Sequence, residues 1–112
     1  MANNFKLKTF SGSATAADTA MTIYTCPAAT QTTIIGLTVT NITGSQVTIS
    51  VTLENNDGDN VYLVKDIPIP AGSAFIPVGG EQKVVMEAND VIKVTSDTAN
   101  SVDSTLSILE IS

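Results

Sequence analysis

The chain of 112 residues lacks histidine, arginine and tryptophan, and it has a single cysteine. Without histidine there is no Ser-His-Asp or Cys-His couple and no imidazole ligand for a metal. One cysteine forms neither an internal disulfide nor a thiolate zinc site, and without arginine there is no bidentate clamp for phosphate or carboxylate. We therefore expect no enzyme activity, no catalytic residue, no metal and no cofactor.

Positive charge is also scarce. Five lysines stand against eleven acidic residues, which gives a net charge of −6 and a pI near 4.1. A chain of this charge offers no basic stripe to nucleic acid, and an anionic membrane surface would repel it. No apolar run approaches the ~20 residues that span a bilayer, and the first residues carry no signal-peptide pattern, which predicts synthesis in the cytoplasm. We expect neither nucleic acid nor a membrane as a partner.

The sequence is rich in β-branched and hydroxyl side chains, with 11 valines, 11 isoleucines, 16 threonines and 10 serines. Apolar residues make up 43% of the chain, which is enough for a folded core, whereas charged residues make up only 14%. Such a composition is typical of a folded β-protein whose surface carries hydroxyls where other proteins carry charges.

The clearest strand pattern lies in the middle of the chain. Apolar and polar residues alternate over Gln46–Glu54, which predicts a strand with one buried face. The turn Asn55–Asn60 contains Asp-Gly and leads into Asn60–Lys65, so we predict an antiparallel hairpin. Further predicted strands are Ala20–Thr25, Thr32–Asn41, Ser73–Val78, Gln82–Glu87, Val91–Ser96 and Val102–Ile111. The segment Ile67–Gly72 is predicted as an extended edge or a corner, because each proline lacks a ladder donor. In the last strand, the successive apolar residues Ile108 and Leu109 predict a bulge or a twist.

Short strands separated by turn signals predict an all-β fold, a single antiparallel β-sandwich (jelly-roll-like) of about eight short strands. We divide the chain into an N-terminal arm, residues 1–19, and a β-sandwich domain, residues 20–112. The alanine-rich segment Ser13–Ala20 is the candidate helix, and at eight residues it would be a marginal one.

Two local patterns resemble binding or reactive sites. Asn55–Asn60 looks like a calcium loop, but an EF-hand needs an acidic residue where Leu53 stands and a glutamate where Val64 stands. The pattern favours a hairpin turn, with an adventitious cation on its aspartates as the alternative. Cys26 precedes a proline at a strand end and has no activating cation nearby in the sequence, so we expect a small buried apolar residue there.

The N-terminal segment carries two of the three phenylalanines and two of the five lysines. Its apolar residues Phe5, Leu7 and Phe10 lie outside the predicted sandwich, and exposed apolar surface of this kind usually finds a partner. We therefore predict Phe5, Leu7 and Phe10 as assembly contacts between subunits or with a larger particle. Packing on their own domain, or a frayed terminus, is the alternative.

Five segments share the turn-and-strand pattern of one class of proteins: Thr22–Ala28, Ile34–Asn41, Ile69–Ser73, Val85–Val94 and Leu106–Ile111. From about residue 20 onward the chain resembles the small all-β virion proteins encoded among the structural genes of tailed bacteriophages, especially marine ones. The resemblance implies a structural accessory protein, in the first place a capsid decoration (cement) protein of the phage head. A neck, tail or fibre component is the alternative within this class.

The resemblance also implies partners and a location. We expect a homo-oligomer, a trimer in particular, bound to the major capsid protein or another virion protein. The finished protein would then reside in the virion, after synthesis in the host cytoplasm. From a different class, a carbohydrate-binding β-sandwich module stays open, because Tyr62 and the loops rich in threonine, serine and asparagine offer hydroxyl and amide contacts to a sugar.

Overall fold

The computed structural model describes residues 3–12, 15–79 and 83–112. Nine strands run through these ranges: β1 (Asn3–Ser11), β2 (Ala20–Thr25), β3 (Gln31–Asn41), β4 (Val47–Glu54), β5 (Asn60–Ile69), β6 (Ala74–Val78), β7 (Val84–Met86), β8 (Val91–Ser96) and β9 (Val102–Ile111). The predicted all-β class is confirmed.

Two sequence predictions extend over residues that the structure does not describe. Residues 15–20 of the candidate helix Ser13–Ala20 are not helical, and residues 13 and 14 lie outside the described residues. The strand predicted over Gln82–Glu87 is shorter, Val84–Met86, and Gln82 also lies outside them. In the three described ranges there is no helix of the length and apolar character needed to cross a membrane.

The nine strands form two antiparallel sheets packed as a sandwich. Sheet A has the order β1-β9-β3-β6, with β7 also paired to β3, and sheet B has the order β2-β8-β4-β5. With β7 set aside, the first strand pairs with the last, the second with the second last, and so on inward to β4 and β5. This is a long hairpin rolled into two sheets, the strand order of a jelly roll. The predicted jelly-roll-like sandwich is confirmed, with nine strands described where about eight were expected.

The core lies between the two sheets and is built from the inward residues of each strand. Its largest fully buried side chains are almost all aliphatic: Ile34, Leu37, Ile49, Ile69, Met86, Ile92, Leu106, Ile108, Val39, Val47, Val51 and Val78. Full burial of one such side chain stabilises the fold by about 1.5–3 kcal/mol. Apolar packing therefore holds the sheets together in a chain with few charges.

The predicted hairpin is confirmed by the antiparallel pairing of β4 with β5. In the turn between them Gly58 has a φ of 106°, a conformation that residues with a side chain rarely adopt. The amide of Asn55 donates to the carbonyl of Asp59 at 2.8 Å, and the amide of Gly58 donates to the carbonyl of Asn55 at 2.9 Å. Strand β5 continues through Pro68 as an edge strand of sheet B, in keeping with its prolines.

The segment predicted as an N-terminal arm forms, over residues 3–11, the edge strand β1 of sheet A. It pairs with β9 along its whole length, from Asn3 opposite Ile111 to Ser11 opposite Asp103. Gly12 then passes close to the start of β9, where a Cβ would lie 2.0 Å from the backbone oxygen of Val102, so that only glycine fits. In this structure the segment is thus hydrogen-bonded into the sandwich of its own chain.

Strand β9 differs from its prediction. Inward and outward residues alternate along the whole strand, so that Ile108 and Glu110 are buried and Leu109 is partly exposed on the other face. The register shift lies instead on β3, between Ile34 and Gly36. The irregularity therefore lies opposite Ile108 and Ser107 but belongs to β3, where Ile35 is the extra residue, whereas β9 itself keeps its alternation through the buried Glu110.

Candidate assembly surface and the anchor beneath it

An apolar exposed surface lies on the outer face of sheet A, which we define as the outward residues of β1, β9, β3 and β7. The registers place Phe5 of β1 beside Leu109 of β9, Leu109 beside Thr33 of β3, and Thr33 beside Val85 of β7. Phe5 is 77% exposed and Val85 is 63% exposed. Apolar side chains thus lie across nearly the whole width of the sheet, on the side that faces away from the core.

This face carries almost no charge. The outward residues of β1, β9 and β3 beside the apolar row are mostly threonine, serine, asparagine and glutamine, and Asp103 is the one ionisable side chain among them. Asp103 itself accepts a hydrogen bond from the amide of Gly12 at 3.2 Å. Apart from Asp103, the charged side chains of the described residues therefore lie away from the outward residues of these three strands.

The outer face of sheet B is different in character. There Lys93 of β8 forms an ion pair with Glu54 of β4 at 2.9 Å, and the residues directly opposite Lys93 on the two neighbouring strands are Thr52 and Thr22. The ammonium group of Lys65 lies 5.2 Å from the centre of the Tyr62 ring, a cation–π distance. Of the two faces, that of sheet A is the one suited to contact with another apolar surface.

The three predicted assembly residues all lie on β1 but on opposite faces of it. Phe5 is 77% exposed and Leu7 is 64% exposed on the outer face of sheet A. Phe10 is partly buried and packs against the hydrophobic core. The structure therefore brings Phe5 and Leu7 together on one surface, whereas Phe10 holds the end of β1 onto its own sandwich.

Beneath the edge of this surface lies a polar cluster, the β1 anchor, formed by Lys6, Tyr24, Thr32 and Glu110. The Glu110 carboxylate, whose side chain is 8% exposed, pairs with the Lys6 ammonium at 2.9 Å. It also accepts a short hydrogen bond from the Tyr24 hydroxyl. The Tyr24 and Thr32 hydroxyls are 2.9 Å apart, and since Tyr24 donates to Glu110, Thr32 is the donor between them. The β1 anchor thus joins β1, β9 and β3 of sheet A to β2 of sheet B.

The β1 anchor perturbs both of its buried acids. Hydrogen bonds from Tyr24 and from Lys6 lower the pKa of Glu110 below its ordinary value, because both favour the ionised carboxylate. Burial, together with the hydrogen bond to Glu110, raises the pKa of Tyr24, since both disfavour the phenolate. At neutral pH the site therefore holds a carboxylate beside a neutral phenol, an arrangement that fixes geometry and offers no free base.

Glu110 and Tyr24 were not predicted as site residues from the sequence. A signal was present in β9, since Glu110 is in phase with Leu106 and Ile108 and therefore shares their buried face. A glutamate in that phase indicates a buried partner, because an unpaired carboxylate is costly to bury. The lysines that alternate with Phe5 and Leu7 on β1 identify the strand that supplies that partner.

Cys26 lies next to the β1 anchor and is fully buried. Its sulfur lies 3.2 Å from the Thr32 hydroxyl and 3.3 Å from the carbonyl of Thr30. The thiol therefore fills a small interior space as a hydrogen-bonded group, with no route to a reagent or to another chain in the folded state.

One end of the sandwich holds an open cleft of about 590 Å³, formed by the turns that follow β2, β4 and β7. Its polar lining includes Thr30, Gln31, Asn55, Asn56, Glu87 and Asp90. Both carboxylate oxygens of Asp90 are already occupied, because they accept the backbone amides of Asn56 and Glu87 at 2.8 Å each. Asp90 thus joins two turns and has little left to offer a ligand.

The aspartates of the hairpin turn also serve the backbone. Asp57 accepts the amide of Asp59 at 3.2 Å, which is a local turn contact. Among the described residues, no group of three or more acidic or cysteine side chains is arranged to hold a metal ion. The hairpin turn therefore explains why Asn55–Asn60 is rich in aspartate and asparagine.

Comparison with known proteins gives the fold a context. No family model matches the chain, and no curated protein matches it. Among solved structures it is similar to a chain of the Bacillus endospore appendages, described as a family of disulfide-linked pili, with 14% identity and a TM-score of 0.52 over 97% of this chain and 84% of the other. It is also similar to a chain of infectious bursal disease virus, Gx strain, with 14% identity and a TM-score of 0.53 over 96% of this chain and 32% of the viral one. At these identities the likeness shows the fold alone.

Proposed function

We propose that this chain is a non-enzymatic structural accessory protein of a virion, a decoration (cement) protein that stabilises a bacteriophage head. The observation that carries the proposal is the outer face of sheet A, a broad and almost uncharged surface with apolar residues across it, on a rigid jelly roll. A protein whose task is to bind neighbours in an assembly needs such a surface and needs no catalytic group.

The fold neighbours support this class of function. One belongs to the disulfide-linked pili of Bacillus endospore appendages and the other to infectious bursal disease virus. The resemblance of the sequence to tailed-phage virion proteins narrows the class to the phage particle. A jelly roll serves many functions, so the surface and the resemblance carry the proposal and the fold alone does not.

As partners we propose further copies of this chain, assembled as a closed trimer, and the major capsid protein or another virion protein. Phe5 and Leu7 are the proposed contact residues, since both are exposed on the outer face of sheet A. Phe10 contributes by holding β1 in place, because it packs against the core. The protein would act in the virion, at the head or, as the alternative, at the neck, tail or fibre.

The proposed assembly is non-covalent. The pilus neighbours are described as disulfide-linked, whereas the single cysteine of this chain, Cys26, is fully buried. A disulfide between copies would require the sandwich to open. Apolar contacts and hydrogen bonds therefore hold the copies together in the proposed assembly.

The cleft at the end of the sandwich favours a second candidate, a carbohydrate-binding module. Gln31, Asn55 and Asn56 line it with amide groups that suit sugar hydroxyls. None of its described lining residues is aromatic, although stacking on a ring is the usual way to hold a sugar. A glycan array separates the two functions, because a module of this kind should bind a defined set of glycans and a cement protein should bind none.

The proposal is tested by adding the purified protein to phage particles that lack it. We expect the protein to cosediment with the particles in a saturable amount and to raise the temperature at which they release their DNA. Leu7→Glu should weaken this binding more than Val61→Glu, a matched apolar-to-acidic change on exposed β5. Absence of cosedimentation and of any effect on DNA release would contradict the cement function.

A further inference from the structure

We propose that the outer face of sheet A is the surface through which one copy of this chain binds the same face of a second copy, an inference that rests on the self-association in the proposed function. The proposed contact surface includes residues of β9 and β7 in addition to Phe5 and Leu7 of β1.

The apolar residues of this face are continuous across its strands. Phe5, Leu109 and Val85 lie in one row, with only Thr33 between Leu109 and Val85. Leu7 lies two residues from Phe5 on the same face of β1, and Ile111 lies two residues from Leu109 on β9. A patch that joins four strands is larger than scattered apolar residues on a monomer surface and is typical of an interface.

The charge distribution favours a second copy as the occupant. A chain of net charge −6 is repelled by most of the surface of an identical chain. The outward residues of β1, β9 and β3 are the exception, since Asp103 is the one ionisable group among them. Two copies can bring these faces together while their remaining charges stay apart in water. A basic partner would gain little at this face, because it offers almost no carboxylate to pair with.

At three of the four sheet edges, all except that of β2, the sequence discourages strand pairing with another chain. Strand β6 has five residues and contains Pro77, β7 has three residues, and β5 contains Pro68. On β1, Lys6 and Lys8 lie on the inward side, and inward charge at an edge strand discourages pairing with another chain. Strand addition at these edges is therefore disfavoured, whereas stacking on the outer face of sheet A meets no such obstacle.

The face is large enough for a stable contact. Three strands spaced about 4.8 Å apart over the nine residues of β1, with the three residues of β7 beside them, cover roughly 500 Å² of sheet. Two such faces in contact bury about 1,000 Å² in total, which is the area that a specific interface should reach. The contacts of a closed trimer are head-to-tail, so in the proposed trimer one half of this face would contact the other half of the same face on the neighbouring copy, and each copy would bury its whole face between two neighbours.

Sedimentation equilibrium of the full chain over a range of concentrations tests the inference. Val85→Glu and Leu7→Glu place a carboxylate on two different strands of the face, and each should weaken self-association by about tenfold or more. Val61→Glu is the matched control, because Val61 is 48% exposed on β5 of sheet B; it should change the dissociation constant by about twofold at most. Circular dichroism and thermal melting verify that each variant is folded.

The salt dependence gives a second readout on the unmodified protein. Raising the NaCl concentration should strengthen association, because screening reduces the repulsion between two acidic chains while the apolar contact persists. An interface built on ion pairs would respond in the opposite way, and that response would overturn the inference.

Three further results would overturn it: a wild-type protein that stays monomeric at the highest concentration reached, face variants that associate as strongly as the wild type, or a control that weakens association as much as they do. In each case the proposed function survives if the protein still binds phage particles. Loss of particle binding with self-association intact would instead contradict the proposed function alone.

Discussion

Replacement of Tyr24 by phenylalanine tests whether the β1 anchor holds the two sheets and the N-terminal strand together. The change removes one hydroxyl and leaves the ring, which is 5% exposed, in its place. The Glu110 carboxylate then loses the donor on one oxygen and keeps only Lys6 on the other. Thr32 loses its acceptor on Tyr24 as well.

The expected cost follows from the kind of bond that is lost. A hydrogen bond to a buried charged group contributes about 1.5–3 kcal/mol, and no cavity is created to add to it. For a domain of this size we expect the melting temperature to fall by about 6–12 °C. The effect should be larger at neutral pH than in acid, since protonation of Glu110 removes the charge that makes the bond strong.

Urea unfolding followed by circular dichroism measures the free energy of unfolding. Tyr62→Phe is the matched control, because Tyr62 is 56% exposed on sheet B; we expect it to lie within about 0.5 kcal/mol of the wild type. A Tyr24→Phe variant as stable as the control would refute the structural role that we assign to the β1 anchor.

Three further predictions concern the same fold. The pKa of Glu110 is lowered in the folded state, so the Glu110 carboxylate stabilises the fold fully above pH 4.5, its ordinary pKa, and this stabilisation is lost as the pH falls through the lower pKa of the folded state. The urea concentration at the midpoint of unfolding should therefore decline in acid. The decline should be less steep in Glu110→Gln, which has no carboxylate to protonate. Asn41→Ala should lower the free energy of unfolding, measured by calorimetry, by about 2–3 kcal/mol, because this buried amide donates to the carbonyls of Ser45 and Ile69. A loss under about 1 kcal/mol, roughly one ordinary hydrogen bond, would contradict this prediction. Gly12→Ala should lower the free energy of unfolding by about 3 kcal/mol or more, since the new Cβ would lie 2.0 Å from a backbone oxygen of β9. Gly44→Ala is the matched control and should be nearly neutral, because no atom lies within 4 Å of its new Cβ.

Most of the strands could be predicted because their signals are local. The alternation in β4 and the Asp-Gly turn after it specify a hairpin within one stretch of chain, and the structure has that hairpin. The same holds for Val91–Ser96, which matches β8 residue for residue. A pattern of period two needs no knowledge of the partner strand.

What could not be predicted depends on contacts far apart in sequence. The burial of Glu110 requires Lys6 and Tyr24, which lie on two other strands, so β9 was assigned a change of face that it does not have. Strand β1 was separated as an arm because the small-residue segment Ser11–Thr19 lies between it and the next predicted strand. Its inward residues are mostly polar and gave no sign of a buried face. Those residues include the lysine that pairs with Glu110, and no window along the chain contains both.

The candidate surface was predicted in part. Phe5 and Leu7 stand out in the sequence as apolar residues outside the clear strands, and they are exposed in the structure. Leu109 and Val85 could not be added to them, because only the register of β1, β9, β3 and β7 places these residues in one row. The interpretation of Phe10 was limited for the same reason, since its contact with the core depends on how β1 pairs.

Quantitative mass spectrometry of purified phage particles tests the central claim most directly. A structural accessory protein of the virion should be present in fully purified particles at a fixed ratio to the major capsid protein, and it should stay with them through a density gradient. Particles of normal composition that lack this chain, with the protein found only in the soluble fraction of the lysate, would contradict the claim.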